Sequence, residues 1–133
     1  MTTILVTGAT GTVGSEVIKQ LVSSSSSSDN DIIIRVVAIQ SQNKIDNFKE
    51  YKTLQIVDMD YNKSETIVDA LNHVNKLFLL TLPSPNVAVY SNLVKEIRKY
   101  GSINHIVKLS SMAARRLDSQ PQLDEYIEKK RRL

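Results

Sequence analysis

The chain of 133 residues contains no cysteine and no tryptophan, and only 5% of its residues are aromatic. The absence of cysteine excludes disulfides, thiolate metal sites, iron–sulfur clusters and a cysteine nucleophile. The scarcity of aromatic side chains argues against a stacking surface for single-stranded nucleic acid. The sequence also has no signal-peptide pattern and no apolar run of the roughly 20 residues that a membrane-spanning helix needs. These absences predict a soluble, cytoplasmic protein.

The charge of the chain is concentrated at one end. The formal net charge is +3, from 17 basic and 14 acidic residues, and four of the bases are consecutive at 129–132. Without these four, 13 bases face 14 acids, which is a balance of −1. The basicity therefore belongs to a tail, which argues against nucleic acid as a partner. The length predicts a single domain over 1–133, with a flexible serine-rich loop at 23–31 and a basic tail at 129–133.

Short apolar runs alternate with segments of helical periodicity. Strands are predicted at 3–7, 32–39, 54–57, 76–81 and 104–109. Helices are predicted from 13 to 22, from 64 to 71 with Ser64 as the cap, and from 87 to near Gly101, with a further short helix around 45–51. This alternation predicts right-handed crossovers and an α/β fold. We expect a Rossmann-like doubly wound parallel sheet of about five strands in the order 3-2-1-4-5.

A glycine-rich turn joins the first strand to the first helix. It reads Thr7-Gly8-Ala9-Thr10-Gly11-Thr12-Val13-Gly14. Gly8 allows a tight turn, Gly11 lets the backbone approach a pyrophosphate, and Gly14 lets the helix pack closely. The helix N-terminus offers free N–H groups to the phosphates, and the hydroxyls of Thr10 and Thr12 can add donors. No Gly-Lys-Ser or Gly-Lys-Thr follows, so the turn predicts a dinucleotide site and not a P-loop.

The end of the second strand usually indicates which cofactor is bound, because an acid there binds the ribose hydroxyls of NAD. Asp29 and Asp31 precede that strand and therefore cannot be the acid that binds the ribose. The residues that follow it include no carboxylate, but Gln40 and Ser41 can hydrogen-bond a ribose or a 2′-phosphate. Lys44 could add a positive charge or could be a solvated loop residue. NADP is therefore mildly favoured over NAD.

Four landmarks occur in order along the chain. They are the G-x-x-G-x-x-G spacing of the turn, Ile56-Val57-Asp58-Met59-Asp60, Phe78-Leu79-Leu80-Thr81-Leu82-Pro83, and Val107-Lys108-Leu109-Ser110-Ser111. Together they resemble the NmrA-like branch of the atypical short-chain dehydrogenase/reductases, over nearly the whole chain. An arginine that family members usually have after the second strand, for the NADP phosphate, is absent here.

This resemblance implies roles for particular residues. Asp58 and Met59 would contact adenine, residues 80–83 would line the nicotinamide side, and Ser110 and Ser111 would lie beside the nicotinamide ribose. With the turn and the residues after the second strand, the predicted cofactor-binding set is Gly8, Thr10, Gly11, Thr12, Val13, Gly14, Gln40, Ser41, Asp58, Met59, Leu80, Thr81, Leu82, Pro83 and Ser110.

The sequence leaves the catalytic residues unknown. Tyr126 and Lys130 have the Y-x-x-x-K spacing of the classical relatives, in which the lysine lowers the phenol pKa and the tyrosine donates a proton. With Ser111 they would complete a triad, but Tyr126 can equally be a packing residue on a charged helix. His73 and His105 are isolated along the chain, and we expect no metal site.

The later strands and the smaller lobe of the family would follow Leu133, so the resemblance implies a chain truncated after the fifth strand. That strand would then be an exposed edge, which invites pairing with a partner protein or a second copy. Three functions stay open. The protein is a cofactor-sensing or regulatory NAD(P)-binding module with little catalysis, an NAD(P)H-dependent oxidoreductase of quinones or carbonyls, or an inactive fragment.

Overall fold

The computed structural model of the chain describes residues 1–25, 31–38, 48, 51–80 and 88–109. The strands within these ranges are β1 (Thr2–Val6), β2 (Ile32–Ala38), β3 (Leu54–Asp58), β4 (Lys76–Leu80) and β5 (His105–Leu109). The helices are α1 (Thr12–Ser25), α2 (Ser64–Leu71) and α3 (Ala88–Lys99). The short helix predicted around 45–51 falls mostly outside the described residues.

The five strands form one parallel sheet in the order β3-β2-β1-β4-β5, as predicted. Val6 of β1 pairs with Val36 of β2 on one side and with Phe78 of β4 on the other. The chain winds outward from β1 to β3 and then crosses to β4, so the winding direction reverses between β1 and β4. In open α/β sheets this reversal produces a crevice at the carboxyl ends of the strands, where ligands bind.

Helices pack on both faces of the sheet, because successive residues of each strand point to opposite faces. One face lies under α1, whose Ile18 joins a cluster that contains Val6, Ile34 and Val36. The other face lies under α2 and α3. Its core is fully or almost fully buried and includes Leu5, Ile67, Leu71, Leu77, Leu79, Leu93 and Ile97. The apolar spacing of α3 that the sequence showed is therefore its buried face.

Helix α1 extends further than its apolar pattern predicts. It runs through Ser25, three residues into the serine run. The hydroxyls of Ser23, Ser24 and Ser25 donate to carbonyls four residues back, at 2.9, 2.8 and 2.8 Å. These bonds turn each polar side chain back onto the helix, so the first serines continue the helix although none contributes to the core.

The start of α2 differs from the prediction that Ser64 caps it. Lys63 occupies the N-cap position, and no side chain caps the helix. The Thr66 hydroxyl instead lies 2.8 Å from the Lys63 carbonyl, to which it donates, and accepts from the Asp60 N–H at 2.9 Å. Ser64 is thus the first helical residue. Glu65 lies in the first turn, where the helix dipole favours an acid.

Strand β5 has one neighbour, β4, among the strands of the described ranges. Val107 is 46% exposed and Leu109 is 38% exposed, on the face of the sheet opposite to α2 and α3. No helix in the described part of the chain is long and apolar enough to span a membrane.

Candidate functional site

The turn after β1 can be built only with glycine at its first position. Gly8 has φ +66°, in the left-handed region that other residues avoid. A Cβ at Gly8 would clash with the Leu80 side chain at the end of β4, where even the Leu80 Cβ is only 3.0 Å away. The Gly11 N–H then donates to the Gly8 carbonyl at 3.1 Å, which closes the turn. The tight turn predicted at Gly8 is confirmed.

The other two glycines differ in what surrounds them. A Cβ at Gly14 would meet the Gly8 carbonyl group, with the carbonyl carbon at 2.7 Å, so α1 begins in close contact with the turn. A Cβ at Gly11 would meet only the Gly8 oxygen, at 3.3 Å. The protein itself therefore needs glycine at Gly8 and Gly14, whereas Gly11 leaves space beside the start of the helix.

The N-terminus of α1 is suited to an anion. The helix has 14 residues and no acidic residue in its first turn. Thr12 and Val13 are exposed there, and Thr10 is half-buried. The partial positive charge of the helix end and its N–H groups are thus directed to the carboxyl edge of the sheet, and no carboxylate in the first turn offsets them.

Thr7 links the two strands that flank the crevice. It is completely buried, and its hydroxyl accepts a hydrogen bond from the Leu80 N–H at 2.8 Å. The same hydroxyl lies 3.4 Å from the carbonyls of Phe78 and Leu80, to which it can donate. Thr7 therefore pairs with β4 through its backbone N–H, which donates to the Phe78 carbonyl at 3.0 Å, and adds a side-chain bond where β1 turns away from β4. No role in the site was predicted for Thr7, although a hydroxyl at the end of an apolar strand is a signal for one.

The end of β3 lies on the other side of the turn. Asp58 is exposed and pairs with Ala38 at the end of β2, which places its carboxylate at the carboxyl edge. Met59 is 2% exposed, and its side chain belongs to the core under α2 and α3. The Met59 side chain is therefore part of the core and does not reach the carboxyl edge. The predicted adenine contacts of both residues stay predictions.

Tyr61 lies in the loop after β3. Its ring is 5.5 Å from that of Tyr90, at an angle of 56°. Burial, and to a lesser degree Tyr90, raises the pKa of Tyr61 to about 12. No sequence signal pointed to this residue, because its ring neighbour Tyr90 comes from α3.

The remaining predicted residues fall outside the described part of the chain. They are Gln40, Ser41, Thr81, Leu82, Pro83 and Ser110 of the cofactor set, together with Ser111, Tyr126 and Lys130 of the possible triad. Within the described ranges no cluster of His, Asp and Glu could hold a metal ion.

A parallel sheet with a glycine turn at the start of α1, beside the β1–β4 crevice, defines a dinucleotide-binding fold. The sequence matches a family model described as NAD(P)H-binding over residues 8–133. The chain belongs to this family of NAD(P)H-binding domains. No curated protein sequence matches it.

Solved structures of reductases share the fold. The triphenylmethane reductase of Citrobacter sp., complexed with NADP(H), is 24% identical, with a TM-score of 0.71, over 96% of this chain and 46% of that one. An NADPH-dependent quinone oxidoreductase from Escherichia coli is 20% identical, with a TM-score of 0.71, over 96% and 45%. A short-chain dehydrogenase/reductase from Veillonella parvula, in complex with NADP, is 14% identical, with a TM-score of 0.68, over 98% and 60%. The chain thus spans about half the length of the structures it matches.

Proposed function

We propose that this domain binds NADPH in preference to NADH and acts as a cofactor-sensing module of the NmrA-like type, with little or no catalysis. The observation that supports binding most directly is the space at Gly11, beside a helix N-terminus whose first turn has no acid. The absence of a carboxylate directly after β2 supports NADPH over NADH. We take residues 1–133 as one domain with the cofactor-binding residues named above.

Calorimetric titration of the purified chain with NADPH and NADH tests this proposal. We expect heat of binding for both cofactors, with the smaller dissociation constant for NADPH. Circular dichroism of the same sample shows whether it is folded. A folded sample that gives no heat with either cofactor would contradict cofactor binding, and tighter binding of NADH would contradict only the preference.

A second candidate function is an NAD(P)H-dependent oxidoreductase that acts on a quinone or a carbonyl. It is favoured by the similar fold of the triphenylmethane reductase and of the quinone oxidoreductase, and by the spacing of Tyr126 and Lys130. In this function Tyr126 would donate the proton. Oxidation of NADPH in the presence of quinones and carbonyls, abolished in Tyr126→Phe, would support it. Cofactor binding without turnover on any of these substrates would leave the sensing function.

We also propose that β5 pairs with β5 of a second copy of the chain. An antiparallel pair centred on Val107 places Val107 opposite itself, Lys108 opposite Ile106, and His105 opposite Leu109. No two like charges then stand directly opposite each other. The exposed side chains of Val107 and Leu109 from both copies would form one apolar strip on the same face of the joined sheet.

A further inference from the structure

The loop between β3 and α2 begins at the carboxyl edge of the sheet, directly after Asp58. The Thr66 hydroxyl, in the first turn of α2, accepts a hydrogen bond from the Asp60 N–H at 2.9 Å and lies 3.0 Å from the Asp60 carbonyl. The Asp60 carboxylate accepts from the backbone N–H of Asn62 at 2.9 Å. The residues on either side of Tyr61 are therefore held by polar groups of the loop and of α2.

Tyr61 itself is held from the other side, by α3. The side-chain amide of Asn92 donates a hydrogen bond to the Tyr61 carbonyl at 3.2 Å, although the two residues are 31 positions apart in the chain. The Tyr90 ring, from the same helix, is buried and packs against the Tyr61 ring. Ring packing tolerates a range of orientations, whereas a hydrogen bond fixes the direction of the carbonyl that accepts it. Asn92 therefore determines how the backbone of the loop is oriented at Tyr61.

This hydrogen bond lies close to the edge of the sheet where a ligand is expected. Helix α3 leads from the carboxyl end of β4 to the amino end of the parallel strand β5, so it begins near the carboxyl edge. Asn92 lies one turn after Ala88, the first residue of the helix. Tyr61 is three residues beyond Asp58, which belongs to the proposed adenine subsite. The amide of Asn92 thus holds the backbone directly beyond that subsite.

We propose that Asn92 is a positioning residue for the adenine subsite, because its amide holds the loop after β3 in the path that places Asp58 beside an adenine ring. This inference rests on the proposed cofactor site. Asn92 acts through the Tyr61 carbonyl and does not contact the ligand. Its effect therefore extends to every ligand with an adenosine part, so that NADPH and AMP are affected alike.

Two substitutions test this role. Asn92→Ala removes the amide at a half-buried helix position that alanine suits, and Asn92→Leu also removes the donor but keeps a side chain of similar size. The matched control is Asn75→Ala, at a half-buried position of the opposite edge of the sheet, where the side-chain oxygen accepts from the Thr3 N–H at 2.9 Å. Calorimetry measures NADPH binding and NMR chemical-shift titration measures AMP binding, at a temperature at which circular dichroism shows each variant to be folded.

We expect both Asn92 variants to weaken the binding of NADPH and of AMP by the same factor, about fivefold. Asn75→Ala should lower the thermal unfolding temperature and leave both affinities unchanged. Unchanged AMP binding in either Asn92 variant would overturn the inference. An equal loss in Asn75→Ala would also overturn it, because the loss would then follow from stability alone. If the unmodified chain binds neither ligand, the proposed cofactor site itself is wrong, which is a result distinct from both.

Discussion

At the scale of single residues, the three glycines of the turn are required for different reasons. Gly8 is required by its φ and by Leu80, and Gly14 by the Gly8 carbonyl. Both reasons concern the folded chain itself. Gly11 has no comparable contact, so a side chain there would enter the space that we assign to the pyrophosphate.

We therefore predict that Gly11→Val lowers the affinity for NADPH by about tenfold or more, on the order of 1.4 kcal/mol, with a smaller loss of folding stability. The valine would lie where the phosphates approach the start of α1. The control is Gly101→Val, because a Cβ at Gly101 would meet no atom within 4 Å. Calorimetry gives the affinities and urea unfolding gives the stabilities. Equal NADPH affinity in the two variants would contradict the prediction that the pyrophosphate lies beside Gly11.

The phenol of Tyr61 makes the free energy of unfolding depend on pH in the alkaline range. Its pKa rises from 10.0 to about 12 on folding. Between these values the unfolded chain has already released the proton that the folded chain still binds, so stability falls as pH rises. The complete loss of unfolding free energy across this range is about 2.7 kcal/mol, which corresponds to two pKa units.

We predict that the free energy of unfolding of Tyr61→Phe falls less steeply between pH 10 and pH 12 than that of the unmodified chain, because phenylalanine has no proton to release. Urea unfolding at several pH values in this range measures both slopes. Identical slopes would show that the Tyr61 phenol titrates alike in the folded and unfolded chain.

At the scale of elements, a strand residue stabilises the end of a helix. Arg35 of β2 donates to the carbonyls of Ala70 and Asn72 at the end of α2, at 2.9 and 2.7 Å. A cation at a helix C-terminus is favoured by the helix dipole. Burial lowers the pKa of Arg35, which shows a desolvation cost that these bonds offset. Arg35 is the one charged residue of β2, whose other residues are apolar.

We predict that Arg35→Met lowers the free energy of unfolding by about 2 kcal/mol, because two carbonyls lose a charged donor while the apolar stem is kept. Lys95→Met, at an exposed position of α3, removes the same charge and should change stability by less than about 0.5 kcal/mol. Urea unfolding at neutral pH compares them. A similar effect of both substitutions would assign the loss to net charge and not to the end of α2.

At the scale of the whole molecule, the two edge strands of the described sheet, β3 and β5, expose different side chains. Edge strands with exposed apolar side chains invite pairing with another chain. Ile56 of β3 is exposed beside Gln55 and Asp58, whereas Val107 and Leu109 of β5 are exposed beside His105. Strand β5 therefore exposes two large apolar side chains and β3 exposes one.

We predict that the chain dimerises with increasing concentration and that Val107→Lys shifts it to the monomer, because two lysines would then face each other at the centre of the pair. Sedimentation velocity over a concentration series measures this change. Ile56→Lys, a matched substitution on β3, should leave the dimer intact. A monomer at every concentration, or equal effects of the two lysines, would contradict pairing through β5.

The sequence was sufficient for the fold and for the glycine turn. The alternation of strands and helices predicted the strand order. Apolar periodicity depends on local geometry, so it predicted the buried face of α3. The cap of α2 was not predicted, because the path of the preceding loop, held by the hydrogen bonds of Thr66 with Asp60 and Lys63, places Lys63 and not Ser64 at the N-cap position. The bond between Thr7 and Leu80 was also not predicted, because the two residues are 73 positions apart in the chain.

What the sequence determined by itself was a class of protein. A G-x-x-G-x-x-G spacing between a strand and a helix indicates a dinucleotide-binding α/β chain, since this motif depends on residues close together. The tertiary structure decided which glycines the fold itself requires, and it placed the Thr7 hydroxyl against the Leu80 N–H. These two residues are 73 positions apart in the chain, and only the pairing of β1 with β4 brings them together.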